Sequence, residues 1–182
     1  MNIIGQKIIL RAIEQQDLPL LKIWGNDPEI QRNLGSWHFP VSIDALKKWL
    51  ENFSFNDINQ RFIIDTQEHG PIGTANLVSI NWKDRNAFHG MLIGDKKFRG
   101  CGYGTDTVLT IMRYAFEELG LERLDTTIIE YNTASLKLYT KCGWAEEGRK
   151  ENAFFRQNRY WNNVILGITR HNWVQLKPSL SK

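Results

Sequence analysis

Three glycines fall within five positions in the run Arg99, Gly100, Cys101, Gly102, Tyr103, Gly104, straight after an apolar stretch and straight before a helical one. Backbone without β-carbons can approach a ligand closely and turn successive N–H groups toward it. A helix that starts where the loop ends adds its own unpaired N–H groups and the positive end of its dipole. The chemistry this combination offers is anion binding, most often of a phosphate or pyrophosphate. A glycine-rich turn with no ligand has the same composition, and short glycine patterns recur without function. No Gly-Lys-Ser/Thr follows, so the loop is not a nucleotide P-loop. The G-x-G-x-G spacing, mid-chain after several short strands, does not fit a dinucleotide fingerprint.

A second group of residues follows the loop: Glu130, Asn132, Ser135, Lys137, Tyr139, Lys141, Gly143 and Trp144. Asn132 sits where a strand gives way to a helix, which is also where a helix N-cap belongs. Tyr139 lies seven residues further on, nearly two helical turns, and so projects from about the same face. A tyrosine there is either a core aromatic with a satisfied hydroxyl or a proton donor. His89, in a strand before the glycine loop, is either hydrogen-bonded to backbone or a general base, since a free imidazole titrates near ~6.5.

The elements that must position these groups read as follows. Ile8 to Ala12 is a strand, and Asp17 caps a short helix carrying Leu18, Leu21 and Trp24, with Pro19 in its first turn. Residues 35–40 form a loop, and Ser42 caps a second helix with Leu46, Trp49, Leu50 and Phe53 on one face. Strands follow at Arg61 to Asp65 and Ile72 to Ile80, joined through Glu68, His69, Gly70 and Pro71, and then at Ala87 to Gly94. Val108, Leu109, Met112, Ala115, Phe116 and Leu119 recur at helical spacing, with Gly120 as the C′ residue. Leu124 to Glu130 is a strand, Asn132 to Lys141 a helix stopped by Gly143, and Ala153 to Thr169 a hairpin turning near Gln157 and Asn158. Three successive strands before the glycine loop argue against a doubly wound parallel sheet.

The order Arg-x-x-Gly-x-Gly, helix, strand, then Asn-x-x-Ser-x-x-x-Tyr-x-x-x-Gly-Trp resembles the GNAT-type N-acetyltransferases across essentially the whole chain. The tail, with Phe154, Phe155, Arg156, Arg159, Tyr160, Trp161 and Val164, is similar to the branch holding bacterial ribosomal-protein N-terminal and polyamine acetyltransferases. The resemblance implies one α/β (α+β) domain over residues 1–182, with a mixed, mostly antiparallel central sheet, splayed parallel strands and flanking helices. It implies acetyl-CoA as co-substrate, no metal, and an amine acceptor. Acetyl-CoA would lie between the splayed strands, with its pyrophosphate on the N–H groups of Arg99, Gly100, Cys101, Gly102, Tyr103, Gly104 and Thr105. Its pantetheine arm would pair with Leu92, Ile93 and Gly94 as an added strand does, with Asn132 near the thioester and Lys137 toward the outer part. Tyr139 takes the family position of the donor that protonates the leaving thiolate. The Leu92 N–H is the expected partner of the carbonyl oxygen, and His89, ahead of His38 and Glu130, the expected base.

Composition bounds the rest. At 182 residues, with 42% hydrophobic and 24% charged residues, the chain fits one soluble domain. A net charge of +3 with no Lys/Arg block gives little support for nucleic-acid binding. No stretch approaches the ~18 apolar residues of a membrane helix. The N-terminus lacks a secretory pattern, and Cys101 and Cys142 form no metal or redox motif, so a reduced, cytoplasmic setting is expected. Residues 35–49 hold one acid, Asp44, against Lys47 and Lys48, which disfavours a polycationic acceptor such as spermidine. Trp37, His38 and Phe39 suggest an aromatic-walled acceptor site instead, unless they belong to the core. A protein N-terminus and a small amine both remain open as acceptors, as do a homodimer and a CoA-binding sensor without turnover.

Overall fold

The computed structural model describes residues 1–35, 39–54 and 56–180, the last three as backbone only. The strands are β1 (Ile3–Ile4), β2 (Ile9–Arg11), β3 (Gln60–Thr66), β4 (Gly70–Asn81), β5 (Asn86–Ile93), β6 (Arg123–Ile129), β7 (Ala145–Arg156) and β8 (Arg159–Thr169). They make one eight-stranded sheet in the order β1-β2-β3-β4-β5-β6-β8-β7. Only β5 and β6 run parallel; the other neighbouring pairs are antiparallel. The helices are α1 (Leu18–Gly25), α2 (Pro28–Asn33), α3 (Ile43–Glu51), α4 (Tyr103–Arg113, continued by a π-type turn at Tyr114–Glu118), α5 (Thr133–Lys141) and α6 (Arg170–Leu180).

Strand alternation divides the buried side chains between two layers. The larger layer packs Ile64, Leu77, Ala87 and Leu124 from the sheet against Val108, Ile111 and Phe116 of the α4 segment and Tyr139 of α5. Leu18, Trp24, Ile30, Leu46 and Ile63 are buried outside that cluster, which places α1, α2 and α3 over the opposite layer. The main core closes at the C-terminus through α6, where Trp173 packs on Phe116 with ring centroids 6.4 Å apart and donates to Glu117 at 2.9 Å.

Several local devices match the sequence reading. Ser42 accepts from the Ala45 N–H at 3.1 Å, and Gly120 and Gly143 have the positive φ of helix-terminating glycines, +67° and +86°. Gln157 and Asn158 both have positive φ, 53° and 58°, as a tight hairpin turn requires. Asp17 departs from its expected role. Its carboxylate takes the two terminal nitrogens of Arg11 at 2.7 and 2.8 Å and the Glu14 N–H at 2.8 Å, so it locks β2 rather than capping α1. Burial opposes that charge, but the Arg11 bonds and the Glu14 N–H leave its pKa below the usual value.

Four pieces were not expected from the sequence: β1, α2, α6 and the first half of β7. The first two are short, at two and six residues. Residues 145–152 are almost wholly polar and exposed, yet they pair along β8 as the sheet's outer strand, where charge blunts an edge.

The N-terminal hairpin is tied to α4 by one side chain. Asp106, in the first turn of α4, accepts the backbone N–H groups of Gln6, Lys7 and Ile8 at 3.0, 2.6 and 3.0 Å. Hydrogen bonds to a charged acceptor are individually worth ~1.5–3 kcal/mol. Asp106→Ala is therefore expected to lower unfolding stability by about 3 kcal/mol in urea titrations. The exposed Asp95→Ala should cost less than about 1 kcal/mol.

Candidate active site

The site forms where the parallel pair parts. β5 and β6 pair only at Asn86–Arg123, Ala87–Leu124 and Phe88–Asp125. Beyond that point β5 continues with β4 as far as Ile93, while β6 stays on β8 as far as Ile129. The β5 edge facing the gap is therefore free of a strand partner. The Gly94 N–H donates to the Ile72 carbonyl of β4 at 2.8 Å. By strand alternation Leu92 turns the same way, and a β-carbon on Gly73 of β4 would collide with the Leu92 carbonyl oxygen. Met91 and Ile93 thus present their N–H and C=O groups to the gap. This corrects the expectation for the backbone of Leu92 and Gly94, because the phase of the β4–β5 ladder fixes which residues face inward.

Two residues stand first beyond the parting point, His89 on β5 and Thr126 on β6, and Tyr139 of α5 reaches both. The Tyr139 and His89 rings lie 5.7 Å apart, centroid to centroid, and the Thr126 side chain is close enough to the Tyr139 hydroxyl to hold its pKa down. Trp144 closes the group, 5.0 Å from Tyr139 and 6.2 Å from His89. Tyr139 is 4% exposed, and burial raises its pKa well above the usual range, partly offset by Thr126. The hydroxyl therefore keeps its proton at any working pH. That suits a donor and excludes a base.

His89 is fully buried. Its Nδ1 lies 2.8 Å from the Asn76 carbonyl, which can only accept, so Nδ1 carries the proton. Nε2 is then a bare lone pair, buried without a partner among the described residues. Desolvation pushes the imidazole pKa down to about 4. A group with that pKa is poorly matched to taking a proton from an ammonium near ~10.4. The expectation of His89 as the base thus meets a buried, weakly basic imidazole fixed to Asn76. Glu130 accepts the Asn162 N–H through Oε1 at 2.8 Å.

The glycine loop has the geometry of an anion cradle. Gly100 and Gly102 have φ of +77° and +90°, and Gly102 precedes the first turn of α4, whose leading N–H groups include those of Gly104 and Thr105. Cys101 and Arg99 are exposed beside them. Lys7, about a hundred residues earlier, donates from Nζ to the Cys101 carbonyl at 3.1 Å and adds a cation that the loop's own sequence does not reveal. Arg99 and Lys96 both form ion pairs with Glu29 of α2, holding that carboxylate below its usual pKa. Trp24 of α1 lies on the end of β5, where a β-carbon at Gly94 would collide with its indole.

Asn132 caps α5, its Oδ1 accepting the Ser135 N–H at 3.2 Å. Lys137 is exposed on the same helix. Phe39 is 81% exposed, so it is not core. Trp37 and His38 lie outside the described residues.

The comparisons with known proteins agree with this arrangement. The family model described as "Acetyltransferase (GNAT) domain" matches residues 7–145. The chain belongs to the GNAT acetyltransferases. It is 28% identical over 169 residues to the SPbeta prophage-derived uncharacterized N-acetyltransferase YokL of Bacillus subtilis, covering 93% of each chain. It is 26% identical over 173 residues to the spermidine N(1)-acetyltransferase of Vibrio cholerae, covering 93% of this chain and 97% of that one. A crystal structure of the Vibrio cholerae spermidine N-acetyltransferase in complex with CoA and spermine superposes with a TM-score of 0.85 at 24% identity, covering 93% of this chain and 99% of that one. The protein is thus an acetyltransferase that uses acetyl-CoA.

The buried imidazole has a consequence for stability. Unfolded, His89 titrates near ~6.5; folded, near about 4. The unfolded chain therefore binds the extra proton between those values. The contribution is whole above about pH 6.5 and is lost as pH falls toward 4, by about 3 kcal/mol in total. Urea titrations at pH 7 and pH 4.5 should show His89→Gln losing about 2–3 kcal/mol less across that interval than the parent chain.

Proposed function

We propose that the protein is an N-acetyltransferase carrying an acetyl group from acetyl-CoA to a primary amine. The observation that carries this reading is the meeting of Tyr139, Thr126 and the free β5 edge at the point where β5 and β6 part. The amine nitrogen attacks the thioester carbonyl, the C–S bond breaks, and the thiolate leaves with the Tyr139 proton, while the proton that the nitrogen sheds as the amide forms returns to the Tyr139 oxygen. A thiol with a pKa of ~8.5 is more acidic than the buried phenol, so the hydroxyl acts first as a hydrogen-bond donor to the departing thiolate, and its proton passes over only as the nitrogen's proton replaces it. The N–H groups of Met91 and Ile93 face the gap, where they can meet charge developing on the carbonyl oxygen. The same edge can pair with pantetheine amides as a strand would. Arg99, Gly100, Cys101, Gly102, Tyr103, Gly104 and Thr105, with Lys7 beside them, would hold the pyrophosphate. Asn132 and Lys137 would flank the arm. The ammonium must lose its proton before attack, and His38, the remaining base expected from the sequence, lies outside the described residues.

The acceptor is a protein N-terminus or a small amine, with spermidine disfavoured by the single acid among residues 35–49. The setting is cytoplasmic: Cys101 and Cys142 are both free thiols. Among the described residues no helix is long and apolar enough to cross a membrane. A homodimer rests on the family resemblance alone. A CoA-binding sensor without turnover is the second reading, favoured by the cradle and opposed by the placement of Tyr139.

Thiol release from acetyl-CoA across a panel of amines tests the proposal. Turnover on at least one primary amine is expected, with spermidine a poor acceptor. Acetyl-CoA binding without turnover on any amine would support the sensor instead. Tyr139→Phe should lower kcat about 10²-fold or more while the acetyl-CoA Kd stays within about twofold. An unchanged kcat would remove Tyr139 from the donor role.

A further inference from the structure

A second recess of about 380 Å³ opens beyond the site, between the end of α2, the start of the segment leading to α3, and the tip of the β7–β8 hairpin. Arg32 and Arg156 line it, with Gln31, Phe39 and Pro40. Its position ties it to the diverging strands. Tyr131, two residues past the end of β6 and next to Asn132, donates its hydroxyl to the Arg32 carbonyl and packs on Trp161 with centroids 4.7 Å apart. Trp161 in turn donates to the Arg156 carbonyl at 3.1 Å. The recess therefore adjoins the open end of the cleft, on the opposite end of α2 from the Glu29 contact with the phosphate loop.

The charge in this recess is one-sided. Arg156 donates from Nη1 to the Phe155 carbonyl at 2.8 Å and from Nη2 to the Leu34 carbonyl at 3.3 Å. The Arg32 side chain is exposed. Arg159 stacks over Trp161, 3.3 Å from the ring centroid, and adds a third cation on the same hairpin. None of the three is in an ion pair among the described residues. Of the nearby carboxylates, Glu29 pairs with Arg99 and Lys96, Asp27 accepts the first N–H groups of α2, and Glu130 accepts the Asn162 N–H. Burial raises the pKa of the Tyr131 hydroxyl, and the charges of Arg156 and Arg32, which both line the recess, pull it back. Gln31 supplies the complementary feature. Its Nε2 donates to the Gly25 carbonyl, which leaves Oε1 buried and without a partner among the described residues.

Two guanidiniums without counter-charge and one bare acceptor fit a ligand with an anionic group beside an N–H donor. We infer that the acceptor amine carries a carboxylate, bound by Arg32 and Arg156, with Gln31 Oε1 accepting from a nearby N–H. A planar fork pairs with a carboxylate through two bonds, which a polycation cannot use and would be repelled by. This inference rests on the transferase reading for the identity of the acceptor, but the anion site stands on its own geometry.

The test uses matched pairs that differ only in charge. Alanine against alaninamide probes a small acceptor, and aspartyl-alaninamide against asparaginyl-alaninamide probes a peptide end. Titration calorimetry on the CoA-loaded protein reads binding, and thiol release reads turnover. The charged member of at least one pair should bind about 10-fold more tightly and show a correspondingly lower KM. Which pair responds identifies the source of the carboxylate. Arg32→Gln and Arg156→Gln should each erode that preference while leaving the KM for acetyl-CoA unchanged. The Arg32 change serves as the primary variant because its side chain makes no hydrogen bond among the described residues. Equal binding within both pairs, a preference that survives both substitutions, or a rise in the acetyl-CoA KM alone would overturn the anion site. Charge-selective binding without turnover on any amine would uphold the anion site and overturn the transferase reading.

Discussion

The whole arrangement depends on how briefly β5 and β6 are paired. Three residue pairs join them, and then each strand follows its other neighbour, β5 along β4 and β6 along β8 through Ile129–Asn163. A strand edge inside a domain is costly unless something pairs with it, because each unpaired N–H and C=O would lack a partner. Here the gap is held open by two antiparallel ladders, and the β5 edge beyond Phe88 is left without a strand partner. Every chemical group of the site is defined by where it stands relative to that parting point. His89 and Thr126 are the first residues past it, and Tyr139 reaches them from the helix beneath.

The same constraint explains which parts of the site were legible in the sequence. The glycine loop and the Asn132 to Tyr139 spacing are local patterns, and local patterns survive in a linear reading. Lys7 and Glu29 act on the loop from about 94 and 70 residues away, and no motif carries that information. The inward phase of β5 was equally hidden. Leu92 and Met91 are both apolar residues in a strand, and only the register against Gly73 and Ile72 decides which one faces the gap. His89 shows a third limit. Its residue type suits a base, yet burial and the Asn76 carbonyl set its pKa, and neither can be seen without the fold.

The fold itself was legible where elements were long and amphipathic. The central strands and α5 lie within a residue or two of their expected bounds, α4 and its π-type turn end just before Gly120, and the hairpin turns at Gln157 and Asn158. Short or polar elements were not. The six residues of α2 are too few for a period, although Asp27 before Pro28 is a sound start signal, with Asp27 Oδ1 accepting two N–H groups. Missing α2 mattered more for function than missing the longer α6, because α2 borders the cleft.

That short helix gives the site its electrostatic division. Near its N-terminus Glu29 pairs with Arg99 and Lys96, two cations beside the glycine loop, while at its C-terminal end Arg32 and Arg156 line the recess with no ion pair among the described residues. A ligand with phosphates can draw Arg99 and Lys96 away from Glu29, since the cradle's N–H groups and Lys7 would compensate the anion in their place. A cationic acceptor, by contrast, would meet uncompensated positive charge at the other end of the same helix. Charge is therefore treated in opposite ways at the two ends of α2, paired with a carboxylate beside the glycine loop and without an ion pair at the recess among the described residues. The fold follows from the splayed strands, whereas specificity in a shared fold is set by side chains grafted on it, and on the proposed anion site those would be a few on α2 and the hairpin tip.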